Sequence, residues 1–529
     1  MTTESPTPAD PLNPMPPAVL PAAAFLAGAA IMIVEISGNR LIAPVYGNTI
    51  YTWTALIGVV LVAMSAGGYF GGRLADSNPR PAVVGTLLAA AGIATTLIPA
   101  LATAVSGMVD ATEMILGPLF LSSVMFVIPG ILLGAVSPYA VKLLSVTRAD
   151  HAVGRSAGLI SMMGALGSFL GTFATGFFLL SAFDIRHIIV ATGITLCLIS
   201  LPFWLAGKTG GKIKTITLLV VAVVICAAIS LGLPPSTLPG TIFTKNTYYH
   251  LIRVVDSTQG GQHFRVLMLD STDEGGINLD DDSLPLPYQR YWEILANDNG
   301  FKPTRALFIG AGAFGMPRHF AARWESAAVD VAEIDPEVIK VGREFFNLDS
   351  APRVIAHAAD GRSFVRNQPD GSYDFIFGDA YNGVSYIPPH LVTTEFFGQV
   401  AGKLKPGGVY MMNVISALRG PSGELTSGVI GGLKAHFPYL AAFTVHRANP
   451  DVRQNIILMA SKQPLDRFLK ADATTPSSHG LGLLANRVPD VLFIPLVAAA
   501  NPFTDHHNPI DRIIARSLLR DGMEQFATF

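Results

Sequence analysis

In the second half of the chain, three acidic residues come directly after short apolar runs. Carboxylates at such positions can bind a ligand. Glu333 follows "AAVDVA", Asp360 follows "RVIAHAA" and Asp379 follows "YDFIFG". If these runs are neighbouring parallel strands, a ligand binds beyond their carboxyl ends, where the three side chains meet. A carboxylate at such a strand end can accept hydrogen bonds from both hydroxyl groups of a ribose. The pattern predicts a nucleoside site.

A glycine-rich turn precedes these acids. The stretch "FIGAGAFG" places Gly310, Gly312 and Gly315 after an earlier apolar run. Glycine permits a tight turn, and it lets a ligand approach both the backbone and the N-terminus of the next helix. This glycine spacing is weak evidence by itself. Combined with acids at three further strand ends, it predicts a nucleoside-binding crevice.

Each acid also has a structural interpretation, as the N-cap of the following helix. For Asp360, which precedes "GRSFVRN", both interpretations stay open. For Glu333, Asp335 in "EIDPEVI" is the better cap, which leaves Glu333 for a ligand. A NAD-dependent dehydrogenase shares the glycine turn and the acid, but no hydride-transfer site is evident. The other interpretation is a site for an S-adenosylmethionine-type nucleoside.

The elements that must position these residues alternate between strands and helices. Short apolar runs predict buried parallel strands, and helices are predicted near 315–324, 336–346, 361–367 and 390–403. The alternation indicates a doubly wound, Rossmann-like α/β domain over 291–529. Upstream, "HLIRVVD" and "FRVLMLD" flank the Gly-rich "STQGGQ", which predicts a small β-hairpin subdomain over 240–290.

The first 235 residues have a different composition. Charged residues make up only 14% of the chain, and the deficit falls in this half. A spanning helix needs about 20 mainly apolar residues. The sequence therefore predicts a polytopic α-helical membrane domain over 18–235 with about seven spans. They are 18–45, 51–72, 81–106, 116–145, 156–182, 186–207 and 214–233.

Small and polar residues within the predicted spans suggest how they pack. "GALGSFLG" carries Gly164, Gly167, Ser168 and Gly171, and small residues four apart let helix backbones approach closely in lipid. The first span contains "VEISGNR", with polar residues at membrane depth. A polar pathway is one interpretation, and internal pairing of Glu35 and Arg40 within the bundle is the other.

The basic residues near the span ends are distributed unevenly. Most Lys and Arg of this half fall in or beside the second, fourth and sixth loops, which the positive-inside rule places in the cytoplasm. Seven spans would then put the second half of the chain on the opposite side. The Pro-rich stretch 1–17 lacks Lys and Arg, so we expect a disordered tail and not a signal peptide.

Several functional classes are excluded by composition. A net charge of -2 argues against a general nucleic-acid binder, which carries a basic stripe. Cys197 and Cys226 both lie within apolar runs, so neither a disulfide framework nor a Cys-based zinc site is predicted. In "NPFTDHHNPIDR" the adjacent His506 and His507 diverge, which makes metal binding a poor interpretation. No metal is expected.

The order of the motifs matches a known family. "YYHLIRV", "FRVLMLD", "YWEIL", "FIGAGAFG", "AEIDPEVI", "ADGRSF", "YDFIFGDAYNG", "IPPHLVTTEFF" and "LKPGG" follow one another over about 240–420. This half resembles spermidine synthases, aminopropyltransferases with a methyltransferase-like fold. The whole chain resembles bacterial membrane proteins in which such a domain follows a multi-span region.

The resemblance implies a role for each matching residue. Glu333 would hold the ribose, Asp360 the adenine amino group, and Asp379 would orient and deprotonate an attacking amine. Tyr248 and Tyr249 are expected to assist Asp379 in catalysis. The implied nucleoside-binding residues are Gly310, Gly312, Gly315, Glu333, Ile334, Asp360, Gly361, Asp379 and Ala380. The co-substrate would be S-adenosylmethionine or its decarboxylated form, with methylthioadenosine as the product.

Several positions depart from the family pattern on the substrate side. Ala313 stands where the family has an acid that holds the donor's amine, and Tyr249 stands in place of a glutamine. The family's "YHE" is "YWE" here, and its second acid after the catalytic one is Asn382. The residues expected in the substrate pocket are Ala313, Glu274, Tyr291, Trp292, Tyr381 and Asn382.

Three functions are compatible with these observations. The first is aminopropyl transfer from decarboxylated S-adenosylmethionine to an amine. The second is an enzyme that uses S-adenosylmethionine itself, as a lyase or cyclase or, as a weaker variant, a methyltransferase. The third is a transporter or sensor regulated by a nucleoside-binding domain. Expected partners are a small molecule such as a polyamine and the lipid bilayer, and homo-oligomerisation stays open.

The predicted location follows from the same resemblance. We expect a multi-pass protein of the bacterial inner membrane with its catalytic domain in the cytoplasm, where the donor is available. The charge bias of the loops, combined with seven spans, predicts the opposite side for that domain. The segment around Asp505 resembles a "TDD-x-x-P" segment of the membrane-fused relatives. It would either close over the active site or form a polar turn that caps the helix after it.

Overall fold

A computed structural model describes most of the chain. The described residues are 18–46, 50–106, 116–147, 152–205, 212–232, 238–270, 272–381, 386–420, 423–445, 451–470, 482–514 and 516–517. The predicted tail 1–17 and the predicted pocket residue Asn382 lie outside them. The chain divides into two compact units, one made mainly of the residues up to Ser236 and the other mainly of Thr237–Phe529.

Within the described residues, the first unit holds seven helices that are long and apolar enough to cross a membrane. Each coincides with a predicted span to within a few residues. A π-helical turn, Thr175–Leu179, and the short helix α6 (Leu180–Ala182) continue the fifth of them. The long helices are α1 (Val19–Tyr46), α2 (Ile50–Ser77), α3 (Pro81–Ser106), α4 (Leu116–Thr147), α5 (Val153–Ala174), α7 (Ile185–Leu205) and α8 (Lys212–Gly232).

Small residues bring α1 and α5 into backbone contact. A Cβ atom on Gly167 would collide with the carbonyl oxygen of Phe25, and one on Gly171 with that of Ala29. The Ser168 hydroxyl donates a hydrogen bond to the Gly28 carbonyl over 3.2 Å. The predicted close packing through "GALGSFLG" is therefore confirmed, because only small side chains permit this approach.

The second unit begins with a four-stranded antiparallel sheet in the order β1-β2-β3-β4. The predicted hairpin forms its centre, with the Gly260-Gly261 turn between β2 and β3. The outer strands were not predicted, because "TIFTKN" and "TDEGGIN" are short or interrupted by glycine. The strands are β1 (Thr241–Asn246), β2 (Leu251–Gln259), β3 (Gln262–Leu269) and β4 (Thr272–Asn278).

A seven-stranded sheet follows, in the order β10-β11-β9-β8-β5-β6-β7. The five predicted strands form its parallel part. The sheet is mixed, because at one edge an additional strand, β11, runs antiparallel to both β9 and β10. The strands are β5 (Arg305–Ile309), β6 (Ala328–Glu333), β7 (Val354–Ala358), β8 (Tyr373–Gly378), β9 (Leu404–Ser416), β10 (Tyr439–Thr444) and β11 (Gln454–Ser461).

Local capping sets where the helices of this unit begin. The Asp335 side chain accepts a hydrogen bond from the Glu337 amide and caps α10, as predicted. Asp360 caps α11 through the Ser363 amide, and Thr393 caps α12. The helices are α9 (Gly315–Arg323), α10 (Pro336–Phe345), α11 (Gly361–Asn367), α12 (Thr394–Lys403), α13 (Glu424–Lys434), α14 (Asp466–Leu469) and α15 (Asp490–Ala499).

A 3₁₀ helix, Pro287–Asn297, connects the two sheets and places its aromatic side chains in the core. Trp292 is 3% exposed and packs on Phe320 and Trp324, with ring centroids 5.6 and 5.7 Å away. The Tyr291 hydroxyl donates to the Thr444 carbonyl over 3.1 Å and accepts from Asn486. Both side chains therefore anchor the connecting helix to the core.

Candidate active site

A cleft lies at the carboxyl ends of β5, β6 and β8, where the strand order reverses. From β5 the chain moves outward to β6 and β7, and then returns to β8 on the other side of β5. Such a switch point opens a crevice between the loops of neighbouring strands. The cleft is lined by Tyr248, Tyr249, His250, Leu269, Glu274, Ile309, Gly310, Ala311, Gly312, Ala332, Glu333, Ile334, Asp360, Gly361, Asp379, Ala380, Tyr381, Pro388, His390 and Leu391.

The glycine turn can take its shape only because two of its residues lack a Cβ atom. Gly310 has φ +92°, and a Cβ there would collide with the carbonyl oxygen of Asp379. Gly312 has φ +49°, and a Cβ there would collide with the carbonyl oxygen of Glu274. Both φ values fall in the region that favours glycine. The turn is thus held tightly between the end of β8 and strand β4.

Glu333 is buried at the end of β6 and fixes the glycine turn from the other side. Its Oε2 accepts a hydrogen bond from the Ala311 amide over 3.0 Å, and its Oε1 accepts one from the Asp335 amide over 2.9 Å. Burial raises the pKa of Glu333, although the two amide hydrogen bonds oppose this effect. Each carboxylate oxygen retains a further acceptor position for a ligand hydroxyl group.

The segment with Tyr248, Tyr249 and His250 is tied to the start of α10. The Thr247 hydroxyl donates to Asp335 over 2.5 Å, and Lys245 forms an ion pair with Glu337 at 2.7 Å. The two tyrosines are 47% and 37% exposed, so they stand at the mouth of the cleft. These contacts hold the segment close to the end of β6 and to Glu333.

Asp360 serves both as a helix cap and as a wall of the cleft. Its Oδ1 accepts from the Ser363 amide over 2.8 Å, and its Oδ2 lies 2.8 Å from the Nε2 atom of His390. Burial opposes ionisation, but the hydrogen bonds from Ser363 and His390 outweigh it and lower the pKa of Asp360. The capping interpretation is therefore correct, and it coexists with a position in the cleft.

Asp379 stands at the end of β8, beside the glycine turn. Its amide donates to the Ile309 carbonyl over 2.9 Å, which joins the ends of β8 and β5. Burial raises the pKa of Asp379 to about 6, while hydrogen bonds from Asn413 and Tyr288 act in the opposite direction. A carboxyl group with this pKa exists mainly as a carboxylate at neutral pH, and it can accept a proton from a nucleophile.

The orientation of Asn413 is set by a second amide. Asn455 Nδ2 donates to Asn413 Oδ1 over 3.0 Å, so Asn413 Nδ2 faces Asp379 Oδ1, 2.9 Å away. The Tyr381 hydroxyl donates to the Asn413 carbonyl over 3.0 Å and accepts from the Ile415 amide over 2.9 Å. These bonds join the loop after β8 to strand β9 and position a donor against Asp379.

Most of the predicted site residues come together in this cleft. Among the predicted residues that the structure describes, the exceptions are Gly315, Ala313, Tyr291 and Trp292, which do not line it. Gly315 begins α9, where a Cβ would come within 2.7 Å of the Leu284 side chain, so it serves packing. Ala313 is 1% exposed. The two aromatic residues were expected in the pocket, but they lie in the core because their helix packs against β11 and α9.

Sequence reasoning missed two residues that hydrogen-bond Asp379, Asn413 and Tyr288, and several that line the cleft. Asn413 is a polar residue within the apolar run "GVYMMNV", on the strand next to β8, and that contrast was a usable signal. Tyr288 and His390 carried no signal, since their positions depend on the connecting 3₁₀ helix and on the loop before α12. The other unpredicted lining residues are His250, Leu269, Ile309, Ala311, Ala332, Pro388 and Leu391.

The segment around Asp505 packs beside the cleft. Asp505 accepts two hydrogen bonds from Arg362, at 2.7 and 2.6 Å, and the Asn508 side chain donates to the Pro389 carbonyl over 2.8 Å. Asn508 Oδ1 also accepts from the Ile510 amide over 3.2 Å, as a helix cap would. The segment therefore braces the loop that carries His390, besides forming the expected polar turn.

The C-terminal part of the chain is similar in sequence to known proteins. Residues 290–417 match the family model described as the spermine/spermidine synthase domain. A polyamine aminopropyltransferase of Vibrio vulnificus is 34% identical over 117 residues, which are 22% of this chain and 39% of that protein. The human eEF1A lysine and N-terminal methyltransferase is 30% identical over 148 residues, which are 26% of this chain and 21% of that protein.

The crystal structure of a probable spermidine synthase from Corynebacterium glutamicum aligns with a TM-score of 0.42 and 20% identity, over 51% of this chain and 97% of that chain. The chain spans less than half of the length of the two curated relatives described above. The match to the family model lies after the seven long helices and includes strands β5, β6 and β8, whose ends form the cleft. The C-terminal part of the chain therefore contains a spermidine synthase-like domain.

Proposed function

We propose that the C-terminal domain transfers an aminopropyl group from decarboxylated S-adenosylmethionine to an amine and releases methylthioadenosine. The observation that carries the proposal is the charge of the cleft. Glu274, Glu333, Asp360 and Asp379 line it, and none of its described lining residues is Lys or Arg. A cleft of this charge favours a ligand with positive groups, and the sulfonium and ammonium of the donor supply two.

The nucleoside part of the donor would occupy the crevice between β5 and β6. Glu333 offers acceptor positions to the ribose hydroxyl groups, and the backbone of Gly310 and Gly312 lets the nucleoside approach closely. Asp360 would accept a hydrogen bond from the adenine amino group. Its oxygens keep acceptor positions that the Ser363 amide and His390 do not use. This assignment is supported by the position of the three acids and the turn along one edge of the sheet.

Asp379 would act as the base for the acceptor amine. The amine nitrogen attacks the methylene carbon next to the sulfonium, the carbon–sulfur bond breaks, and sulfur keeps the electron pair as neutral methylthioadenosine leaves. The new carbon–nitrogen bond makes the nitrogen positive, and Asp379 accepts one of its protons. Asn413 and Tyr288 hold the carboxylate in place for this transfer, which depends mainly on positioning.

The experiment compares two donors with the purified full-length chain. Decarboxylated S-adenosylmethionine or S-adenosylmethionine is supplied with and without putrescine or spermidine, and products are identified by mass. The proposal predicts methylthioadenosine and an amine heavier by one aminopropyl group, and only with the decarboxylated donor and an amine. If neither donor is turned over while methylthioadenosine still binds, a nucleoside-responsive regulator of the helical unit becomes the better explanation.

A second candidate uses S-adenosylmethionine itself, as a lyase or cyclase, with methyl transfer as its variant. The match to a methyltransferase supports this alternative, and so does Tyr249 at the mouth of the cleft. Methylthioadenosine formed from S-adenosylmethionine without any amine would establish lyase activity and contradict the first candidate. Transfer of a methyl group from S-adenosylmethionine to an added acceptor would likewise contradict aminopropyl transfer.

The seven apolar helices would anchor this enzyme in a lipid bilayer, which we take to be the bacterial inner membrane. We place the catalytic domain in the cytoplasm, because its proposed donor is made and used there. If all seven helices cross, the loops rich in Lys and Arg would then face outward, against the charge bias. A cytoplasmic domain and cytoplasmic basic loops together would require that one of the seven helices does not cross.

A further inference from the structure

Glu274 lines the cleft but takes no part in the nucleoside contacts proposed above. It lies on β4, which passes over the glycine turn. The Glu274 carbonyl oxygen occupies the space that a Cβ on Gly312 would need. The next residue, Gly275, has φ +133°, and a Cβ there would come 3.2 Å from the Ala313 amide nitrogen. These two close approaches fix the backbone of Glu274 directly against the turn.

The Glu274 side chain is half-buried, and one of its two carboxyl oxygens has no hydrogen-bond partner among the described residues. Its Oε1 is buried, and no described residue of the chain donates a hydrogen bond to it. Burial is the main cause that raises its pKa well above the usual value, and repulsion from Asp379, Glu333, Asp270 and Asp273 adds to it. An enclosed carboxyl oxygen without a donor is costly for the folded chain, and such groups concentrate at functional sites.

The cleft itself offers no side chain that would neutralise Glu274. Its two basic lining residues, among those described, are already engaged by other acids. His250 Nδ1 lies 3.1 Å from Asp270, and His390 Nε2 lies 2.8 Å from Asp360. Arg253, outside the cleft lining, donates to the Asp270 carbonyl and interacts with the Asp270 and Asp273 side chains. Within the described part of the chain, the basic groups nearest to Glu274 are thus engaged by other acids, which leaves the pairing with Glu274 to a cationic group of the ligand.

We propose that Glu274 binds the primary ammonium group of the donor and thereby selects the decarboxylated form over S-adenosylmethionine. This inference rests on the proposed function. Glu274 lies close enough to Asp379 for the two carboxyl groups to repel each other, so it is near the reacting end of the donor. In S-adenosylmethionine, the carbon that bears the ammonium also bears a carboxylate, which Glu274 would repel.

The binding affinities of three nucleosides distinguish recognition of the ammonium group by Glu274 from a purely structural role. The affinities of methylthioadenosine, S-adenosylmethionine and its decarboxylated form are measured by calorimetry on the full-length chain. In Glu274→Gln, we expect the decarboxylated donor to bind about 10- to 100-fold more weakly, because a charge-assisted hydrogen bond is lost. Methylthioadenosine, which has no ammonium group, should bind as in the wild type. The preference for the decarboxylated donor over S-adenosylmethionine should shrink accordingly.

The control is Asp280→Asn, which removes an exposed acid that pairs with His263 outside the cleft. It should leave all three affinities unchanged. Equal weakening of all three nucleosides in Glu274→Gln would indicate a structural role and overturn the inference. So would an unchanged affinity for the decarboxylated donor in that variant.

Kinetics distinguish failure of this inference from failure of the proposed function. In an active enzyme, Glu274→Gln should raise KM for the decarboxylated donor more than it lowers kcat, and Glu274→Asp should recover part of the loss. An active wild type with an unchanged KM in Glu274→Gln would refute the role of Glu274 alone. A wild type without transfer activity would refute the function, while the affinity ratios would still decide the role of Glu274.

Discussion

At the scale of single residues, the site depends on carboxyl groups whose proton affinity is set by their surroundings. Burial of Asp379 in the wall of the cleft favours the protonated form, whereas hydrogen bonds from Asn413 and Tyr288 favour the carboxylate. The balance gives a pKa of about 6. A base with this pKa accepts a proton at neutral pH and loses activity as the pH falls through about 6.

Asn413→Ala tests this balance. The change removes a donor that favours the charged form, so the pKa of Asp379 should rise by about one unit. Because Asp379 must be deprotonated to act, the acid limb of the pH profile of kcat/KM should move to higher pH by the same amount. Tyr288→Phe should move it in the same direction. An acid limb that stays in place in both variants would contradict the assignment of Asp379 as the titrating base.

The sequence revealed the acids of the site more readily than their partners. Glu333, Asp360 and Asp379 were visible because each follows an apolar run and parallel strands end at one edge of a sheet. Asn413 and Tyr288 reach Asp379 through the pairing of β8 with β9 and through a 3₁₀ helix far along the chain. Contacts of that kind depend on strand order, which composition and spacing do not encode.

At the scale of elements, the turn between β5 and α9 determines the shape of the crevice. Its backbone is fixed by Glu333 from one side and by Glu274 and Asp379 from the other. Gly310 is the residue at which any side chain would push the turn away from β8. The close approach, and not only the positive φ, makes glycine necessary there.

Gly310→Ala should abolish nucleoside binding and destabilise the domain by about 1–3 kcal/mol. The strain of a positive φ in alanine and the collision of its Cβ with the Asp379 carbonyl oxygen both contribute. Gly371→Ala is the matched control. Gly371 also has a positive φ, +62°, but nothing lies within 4 Å of the added Cβ. The control should lose about 1 kcal/mol of stability and retain nucleoside affinity. Binding by calorimetry and unfolding in urea measure both effects, and equal behaviour of the two variants would refute the collision argument.

Element prediction succeeded where periodicity was strong and failed where it was not. The five parallel strands and the four helices after them follow clear apolar patterns. Strand β4 contains two adjacent glycines, and the helix Pro287–Asn297 begins after a Pro-rich stretch, so neither has a regular pattern. Strands β10 and β11, which pair antiparallel with each other, come after the family motifs that were recognised over about 240–420. The core position of Trp292 could not be inferred without the helix that carries it.

At the scale of the whole molecule, the seven long helices raise a question of sidedness. Their number agrees with the sequence-based prediction. Seven crossings place the two ends of the helical unit on opposite sides, and the basic residues favour the cytoplasm for the second, fourth and sixth loops. Our proposal that the catalytic domain is cytoplasmic therefore conflicts with the charge bias unless one helix does not cross.

Cysteine accessibility decides between these arrangements. Gln259→Cys reports on the exposed hairpin of the catalytic unit, and Ser77→Cys reports on the exposed end of α2, in a chain whose native cysteines are replaced by alanine. We expect an impermeant thiol reagent to label Gln259→Cys only after the cells are permeabilised. Labelling of Gln259→Cys in intact cells would contradict the cytoplasmic placement.

The Ser77→Cys variant then identifies the cause of the conflict. Protection of both variants would mean that one helix between α3 and α8 does not cross the bilayer. Protection of Gln259→Cys with labelling of Ser77→Cys would mean that the five long helices between the two probes all cross and that the charge bias is overridden.

The most direct test of the central claim is methylthioadenosine release by Asp379→Asn, measured with decarboxylated S-adenosylmethionine and an amine. We predict that release falls by at least about 100-fold, because the proton acceptor is lost, while methylthioadenosine affinity stays within a few-fold of wild type. Asp280→Asn, the control outside the cleft, should keep full activity. Release by Asp379→Asn at the wild-type rate would contradict the assignment of Asp379 as the catalytic base.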